Sequence, residues 1–176
     1  KLYPLPEPQF RTLAEQDWAN SWKAHYHPFR IGERIWIRPS WFPPEDVPEI
    51  SEGDLVLVLD PGMAFGTGLH PTTQSCLLAL EELTQPGMRV LDVGTGSGIL
   101  SIAAIKLGAG EVAAFDTDDL AVRATESNAV INEVAPLLHA WQGQLSSVGD
   151  HTEHNQWDIV VVNILAPVII QLFNEN

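Results

Sequence analysis

From residue 54 onward the apolar positions change period repeatedly, and each change marks an element. "DLVLVLD" at 54–60 alternates as a half-buried strand does, and upstream "ERIWIRPSW" sets Ile35 and Ile37 against Trp36 and Arg38 with the same period of two. "PTTQSCLLALEEL" switches to helical spacing, with Pro71 near its first position and Cys76, Leu77, Leu80 and Leu83 as its apolar residues. Then come "RVLDVG", a short apolar strand; "ILSIAAIKLGA", a helix with Gly108 as its C-cap; "EVAAFD", a second strand; and "DDLAVRATESNAVINEV", a helix acidic at its start. "LLHAW" and "WDIVVVNIL" give a third and fourth strand, and "PVIIQLF" opens a further helix. Buried strands alternating with helices predict an α/β fold: a mostly parallel sheet with helices on both faces and right-handed crossovers.

The first fifty residues have a different texture, holding eight of the 13 prolines and four of the six tryptophans in segments too short for a core. They read as a connector, with a helix over "LAEQDWANSWKAHYH" that Pro28 limits, leading into a β-hairpin. The division is 1–53, connector helix and start of the hairpin, and 54–176, the ligand-binding α/β domain.

Charge narrows the partners. Nine Lys and Arg face 23 Asp and Glu, a net charge of -14, which repels nucleic acid and attracts a basic protein. Cys76 is the sole cysteine, so the cytoplasm is the expected compartment. The longest apolar run, "IVVVNILAPVII", is too short for a bilayer that needs ~20 residues, so no membrane role is expected. The six histidines match no metal-ligand spacing, and His70 reads as a cap for the helix at Pro71.

Two glycine-rich stretches carry the chemistry, "PGMAFGTGLHPTT" at 61–73 and "VLDVGTGSGIL" at 90–100. The second is the turn after the first parallel strand, where doubly wound sheets bind ligands. It lacks the lysine of a phosphate-binding Walker loop, and Ile99 stands where a dinucleotide fingerprint has its third glycine. Asp92, two residues before Gly94, would repel a pyrophosphate and suit a cationic ligand. Asp116 ends the second strand 18 residues after Gly98, placed to accept both hydroxyls of a ribose. A nucleoside with a positive extension fits S-adenosylmethionine better than NAD.

"VLDVGTGSGIL", "AFDTD" and "DIVVVNILA" resemble motifs of the Rossmann-like class I S-adenosylmethionine-dependent methyltransferases. More narrowly, "DPGMAFGTGLHPTT", "NILA" and "DWANSWKAHYHPFRIGERIWIRPSW" are similar to the ribosomal protein L11 methyltransferase family, over about residues 15–170. The resemblance implies methylation of lysine side chains and the N-terminal amine of ribosomal protein L11. It implies that Gly94 and Gly96, within the turn that also holds Thr95 and Gly98, line the methionine part of the cofactor beside Asp92. Asp116 would take the ribose and Gln144 the adenine, with Phe65 and Thr67 covering the cofactor. Thr72 and Asn163 would face the methyl group and the incoming amine, making the first glycine segment a lid and the second a floor. It also implies a sheet that continues past the fourth strand and a separate N-terminal recognition domain. The chain is therefore expected to be a fragment truncated after that strand, poorly stable alone, self-associating, or dependent on further chain. Other readings are another class I amine methyltransferase with an RNA, DNA or small-molecule acceptor, a non-catalytic nucleoside-binding fragment, and a dehydrogenase.

Overall fold

The computed structural model describes residues 23–47, 50–60, 66–154 and 156–174. Most of the helix expected over "LAEQDWANSWKAHYH" falls outside them, and Lys23–His25 form a single 3-10 turn. A three-stranded sheet comprises β1 (Phe29–Ile31), β2 (Ile35–Pro39) and β3 (Leu55–Leu59). After it come α1 (Pro71–Leu83), β4 (Arg89–Val93), α2 (Ile99–Lys106), β5 (Glu111–Asp116) and α3 (Asp119–Ile131). β6 (Leu138–Gln142), α4 (Val148–His151), β7 (Ile159–Val162) and α5 (Ala166–Asn174) complete the order.

The second sheet is parallel throughout, in the order β6-β5-β4-β7. Strand order reverses between β4 and β7, which makes their carboxyl ends the switch point of a Rossmann-like sheet. Alternation splits the core in two. Val90 and Val112 face one side and pack with α2, while Leu91, Val93, Ala113 and Phe115 face the other with Trp141. Seven of the eight residues of α2 are buried, because the small sheet and α1 cover the side that β4 and β5 leave open. Gly108, at φ 116°, ends α2 as expected: its amide bonds the Ile105 carbonyl and that of Ala109 the Ala104 carbonyl, a Schellman closure. Leu83, expected on the apolar face of α1, is exposed; that face is built by Thr73, Leu77 and Leu80.

The hairpin lies elsewhere than its sequence pattern predicts. β2 and β3 run parallel, so they cannot be its two arms, and the antiparallel partner of β2 is β1. Gly32 reverses the chain at φ 65°. The Glu81 carboxylate from α1 accepts the amides of Glu33 and Arg34 at 3.0 and 2.7 Å, which fixes the turn. The boundary at 53/54 falls between the paired strands β2 and β3.

The outer edge of β3 is completed by side chains. Asn132 accepts the Val58 amide at 2.9 Å and donates to its carbonyl at 2.6 Å; Asn128 does the same for Asp60 at 2.9 and 3.2 Å. Four residues of helix rise ~6 Å and two of strand ~6.6 Å, so carboxamides spaced four apart meet every second strand residue as a neighbouring strand would. Asn128 Nδ2 also donates to the Ser97 carbonyl at 2.8 Å. Replacing Asn128 with Leu leaves these groups unsatisfied and should lower the unfolding free energy by about 2 to 4 kcal/mol in chemical denaturation. A loss below about 0.5 kcal/mol would show that the carboxamide does not hold this edge.

Candidate functional site

A cavity of about 400 Å³ opens beyond the carboxyl ends of β4, β5 and β7. Val93 and Gly94 come from the end of β4, and Phe115, Asp116 and Thr117 from the end of β5. Gln144 and Leu145 follow β6, and the far wall is Ile164, Leu165, Val168, Gln171 and Leu172. Of the residues expected from the sequence, Gly94, Asp116 and Gln144 line this space. The far wall is not legible in the sequence, where "PVIIQLF" reads only as the start of a further helix.

The Gly94–Gly98 turn bends through three left-handed glycines, at φ 78°, 58° and 81°. A Cβ on Gly94 would collide with the Ile164 side chain, and one on Gly98 would stand 3.0 Å from Thr125. The Gly96 amide donates to Asp116 Oδ2 at 3.0 Å, and the Asp118 amide to Asp116 Oδ1 at 3.1 Å. These bonds fix the carboxylate toward the cavity, each oxygen keeping a lone pair for another donor.

Asp92 is not on the cavity. Val93 and Phe115 point there, so the residue before Val93 points through the opposite face of the sheet, where Asp92 is 1 % exposed. Its Oδ2 accepts from Ser101 Oγ at 2.6 Å, and its Oδ1 has no hydrogen-bond partner. Burial pushes its pKa up to about 6 against the pull of the Ser101 hydrogen bond. Thr95 lies below the turn as well, its hydroxyl 3.3 Å from those of Ser101 and Thr125. Neither side chain faces a ligand in the cavity, and any selection Asp92 exerts acts through its field.

The first glycine segment packs against the second. Ser97 Oγ donates to the Gly66 carbonyl at 2.6 Å, and the Tyr26 hydroxyl donates to the Thr67 carbonyl. Thr67 is outside the cavity lining, and Phe65 lies outside the described residues. His70 caps α1 as expected, its Nδ1 accepting the Thr72 amide at 3.3 Å. Thr72 is exposed and its hydroxyl turns to His70, 2.8 Å away. Its neighbour Thr73, 1 % exposed, accepts a 3.0 Å hydrogen bond from Asn163 Nδ2. Thr73 was legible only as one of a Thr pair after Pro71; burial on the α1 face distinguishes it.

Among the described residues no helix is long and apolar enough to cross a membrane, and no three His, Cys, Asp or Glu side chains are placed to hold a metal.

The buried carboxyl of Asp92 sets a pH dependence. Its folded value of about 6 lies above the ordinary 3.8, so the folded state holds this proton more tightly. Its contribution to stability is therefore greatest below pH ~4, declines between ~4 and ~6, and is lost above that. Measured by denaturation from pH 4 to 7, the stability of Asp92→Asn relative to the parent should rise with pH. A difference that stays flat would contradict the assignment.

The model of the family "Ribosomal protein L11 methyltransferase (PrmA)" matches residues 3–176. The chain is 46 % identical to a ribosomal protein L11 methyltransferase of Chloroflexus aurantiacus, over 98 % of this chain and 57 % of that protein. It is 51 % identical to that of Desulfitobacterium hafniense, over 92 % of this chain and 49 % of the relative. The crystal structure of a ribosomal protein L11 methylase from Lactobacillus delbrueckii subsp. bulgaricus superposes with a TM-score of 0.72 at 35 % identity, covering 85 % of this chain and 72 % of that one. The chain thus spans about half the length of the curated relatives it matches. With the reversed parallel sheet, the three-glycine turn and the carboxylate at the end of β5, these matches establish that the chain belongs to the ribosomal protein L11 methyltransferase family.

Proposed function

We propose that these residues form the cofactor-binding and catalytic core of a cytoplasmic S-adenosylmethionine-dependent methyltransferase that methylates lysine side chains and the N-terminal amine of ribosomal protein L11. The observation that carries this reading is Asp116, held by two amides at the mouth of an apolar cavity, with the Asn163–Thr73 pair at the end of the outer strand β7, beyond β4. One oriented carboxylate, the carboxamides of Gln144 and Gln171 and apolar walls suit a nucleoside with free ribose hydroxyls.

In this reading Asp116 takes the ribose hydroxyls, Gln144 and Leu145 the adenine, and Gly94 lets the ligand approach the backbone. Thr73, bonded to Asn163, takes the position expected of Thr72. When bound, S-adenosylmethionine would supply a methyl group to the amine's lone pair in line, the C–S bond breaking as the N–C bond forms and the neutral sulfide leaving.

The chain's own task is to present that amine neutral and aligned. An ordinary lysine lies about 3.4 pKa units from neutrality at pH 7, a cost of roughly 4.6 kcal/mol. The apolar wall of Ile164, Leu165 and Val168 reduces it by withdrawing water from the ammonium. With its Nδ2 committed to Thr73, the Asn163 amide leaves Oδ1 to accept from the amine and aim its lone pair. The acidic surface, at a net charge of -14, suits a basic protein acceptor rather than nucleic acid, and no step requires a metal or a membrane.

Calorimetry on the full chain should show binding of S-adenosylhomocysteine and none of NADH, and Asp116→Ala should weaken the former by about 10- to 100-fold. Tight NADH binding, or indifference to the loss of Asp116, would overturn the cofactor assignment. With ribosomal protein L11 and labelled methyl donor, Asn163→Ala should cut turnover by at least about tenfold while changing cofactor affinity much less. Unchanged turnover would remove Asn163 from the reaction.

A further inference from the structure

The segment Gly66–Leu69 lines no part of the cavity, yet each of its four carbonyls is held by a side chain from outside it. Ser97 Oγ binds the Gly66 carbonyl at 2.6 Å and the Tyr26 hydroxyl that of Thr67. Gln74 Nε2 donates to Gly68 and Leu69 at 3.2 and 3.5 Å. These donors come from the ligand-side turn, the connector before β1, and α1. Backbone contact is close: a Cβ on Gly66 would stand 2.5 Å from Ser97 Oγ, and one on Gly68 would stand 3.0 Å from Ile99 Cδ1.

Ser97 is where this strap meets the site. Its hydroxyl holds the strap and its carbonyl accepts from Asn128, while the preceding residue, Gly96, offers its amide to Asp116. A displaced strap therefore disturbs Ser97, the turn, and the carboxylate aimed into the cavity. We infer that Tyr26 is a positioning residue for cofactor binding: from outside the parallel sheet, its hydroxyl seats the Gly66–Leu69 strap on Ser97 and thereby holds Asp116 in its binding orientation. This rests on the cofactor reading above.

Tyr26 is 2 % exposed, with its ring 6.1 Å from Phe29 and 5.9 Å from Trp41 between centroids. Burial raises the hydroxyl's pKa above its usual value, so it remains a donor across the working pH range. Tyr26→Phe keeps the ring packing and removes only the donor.

The test is calorimetric titration of S-adenosylhomocysteine into the full chain, as parent, Tyr26→Phe, Ser97→Ala and the double variant. Tyr26→Phe should bind about three- to tenfold more weakly, the range one hydrogen bond supports. Because both hydroxyls act on one strap, the double variant should lose less affinity than the two single losses multiplied. A purely structural tyrosine would lower the melting temperature and leave the dissociation constant of the folded protein unchanged, which overturns the inference, as does a double variant whose losses multiply. If circular dichroism shows Tyr26→Phe unfolded, Gln74→Ala releases the same strap from α1 and must weaken binding in its place; unchanged affinity there is equally fatal. A parent that does not bind S-adenosylhomocysteine defeats the cofactor reading and this inference together, whereas a binding parent with an indifferent Tyr26→Phe defeats the inference alone.

Discussion

One hydrogen bond, from the Gly96 amide to the Asp116 carboxylate, ties the end of β4 to the end of β5 at the place where the sheet changes direction. The amide is available because three glycines allow the left-handed turn that aims it, three residues ahead of α2. The carboxylate is available because β5 ends one residue past Phe115, which is buried against Trp141. Without that bond Asp116 would be held by the Asp118 amide alone, through its other oxygen. With it, the acid becomes a fixed acceptor on an apolar cavity.

Much of the remaining polar structure keeps this turn in place. Asn128 reaches from α3 to bind both Asp60 and Ser97, coupling the small sheet to the turn through a residue that is 0 % exposed. Below it Asp92, Ser101, Thr95 and Thr125 occupy the layer between the turn and α2. This layer is costly, since Asp92 Oδ1 lacks a partner and its burial disfavours ionisation.

The α/β alternation was legible because buried parallel strands and amphipathic helices have different periods, and the caps at His70, Pro71, Asp118 and Gly108 mark ends that the structure reproduces within a residue or so. β1 was not legible: three residues of mixed polarity carry no period, and its pairing is fixed by Glu81, 48 residues from Glu33. Asp116 was readable from its place at the end of the second strand and Gln144 through the family resemblance, and both line the cavity. Asp92 was misplaced because sequence distance from Gly94 was read as spatial nearness to the ligand, although strand alternation turns its side chain away from the cavity. Thr73 and the α5 wall required burial and packing, which no local pattern records.

The most direct test is a crystal structure of the full chain with S-adenosylhomocysteine. The account expects both ribose hydroxyls on the Asp116 carboxylate, the Gly96 amide still bonded to that carboxylate, and the adenine against Gln144 and Leu145. A ribose bound elsewhere, or an anion held by the amides of residues 94–98 with Asp116 turned out to solvent, would contradict it.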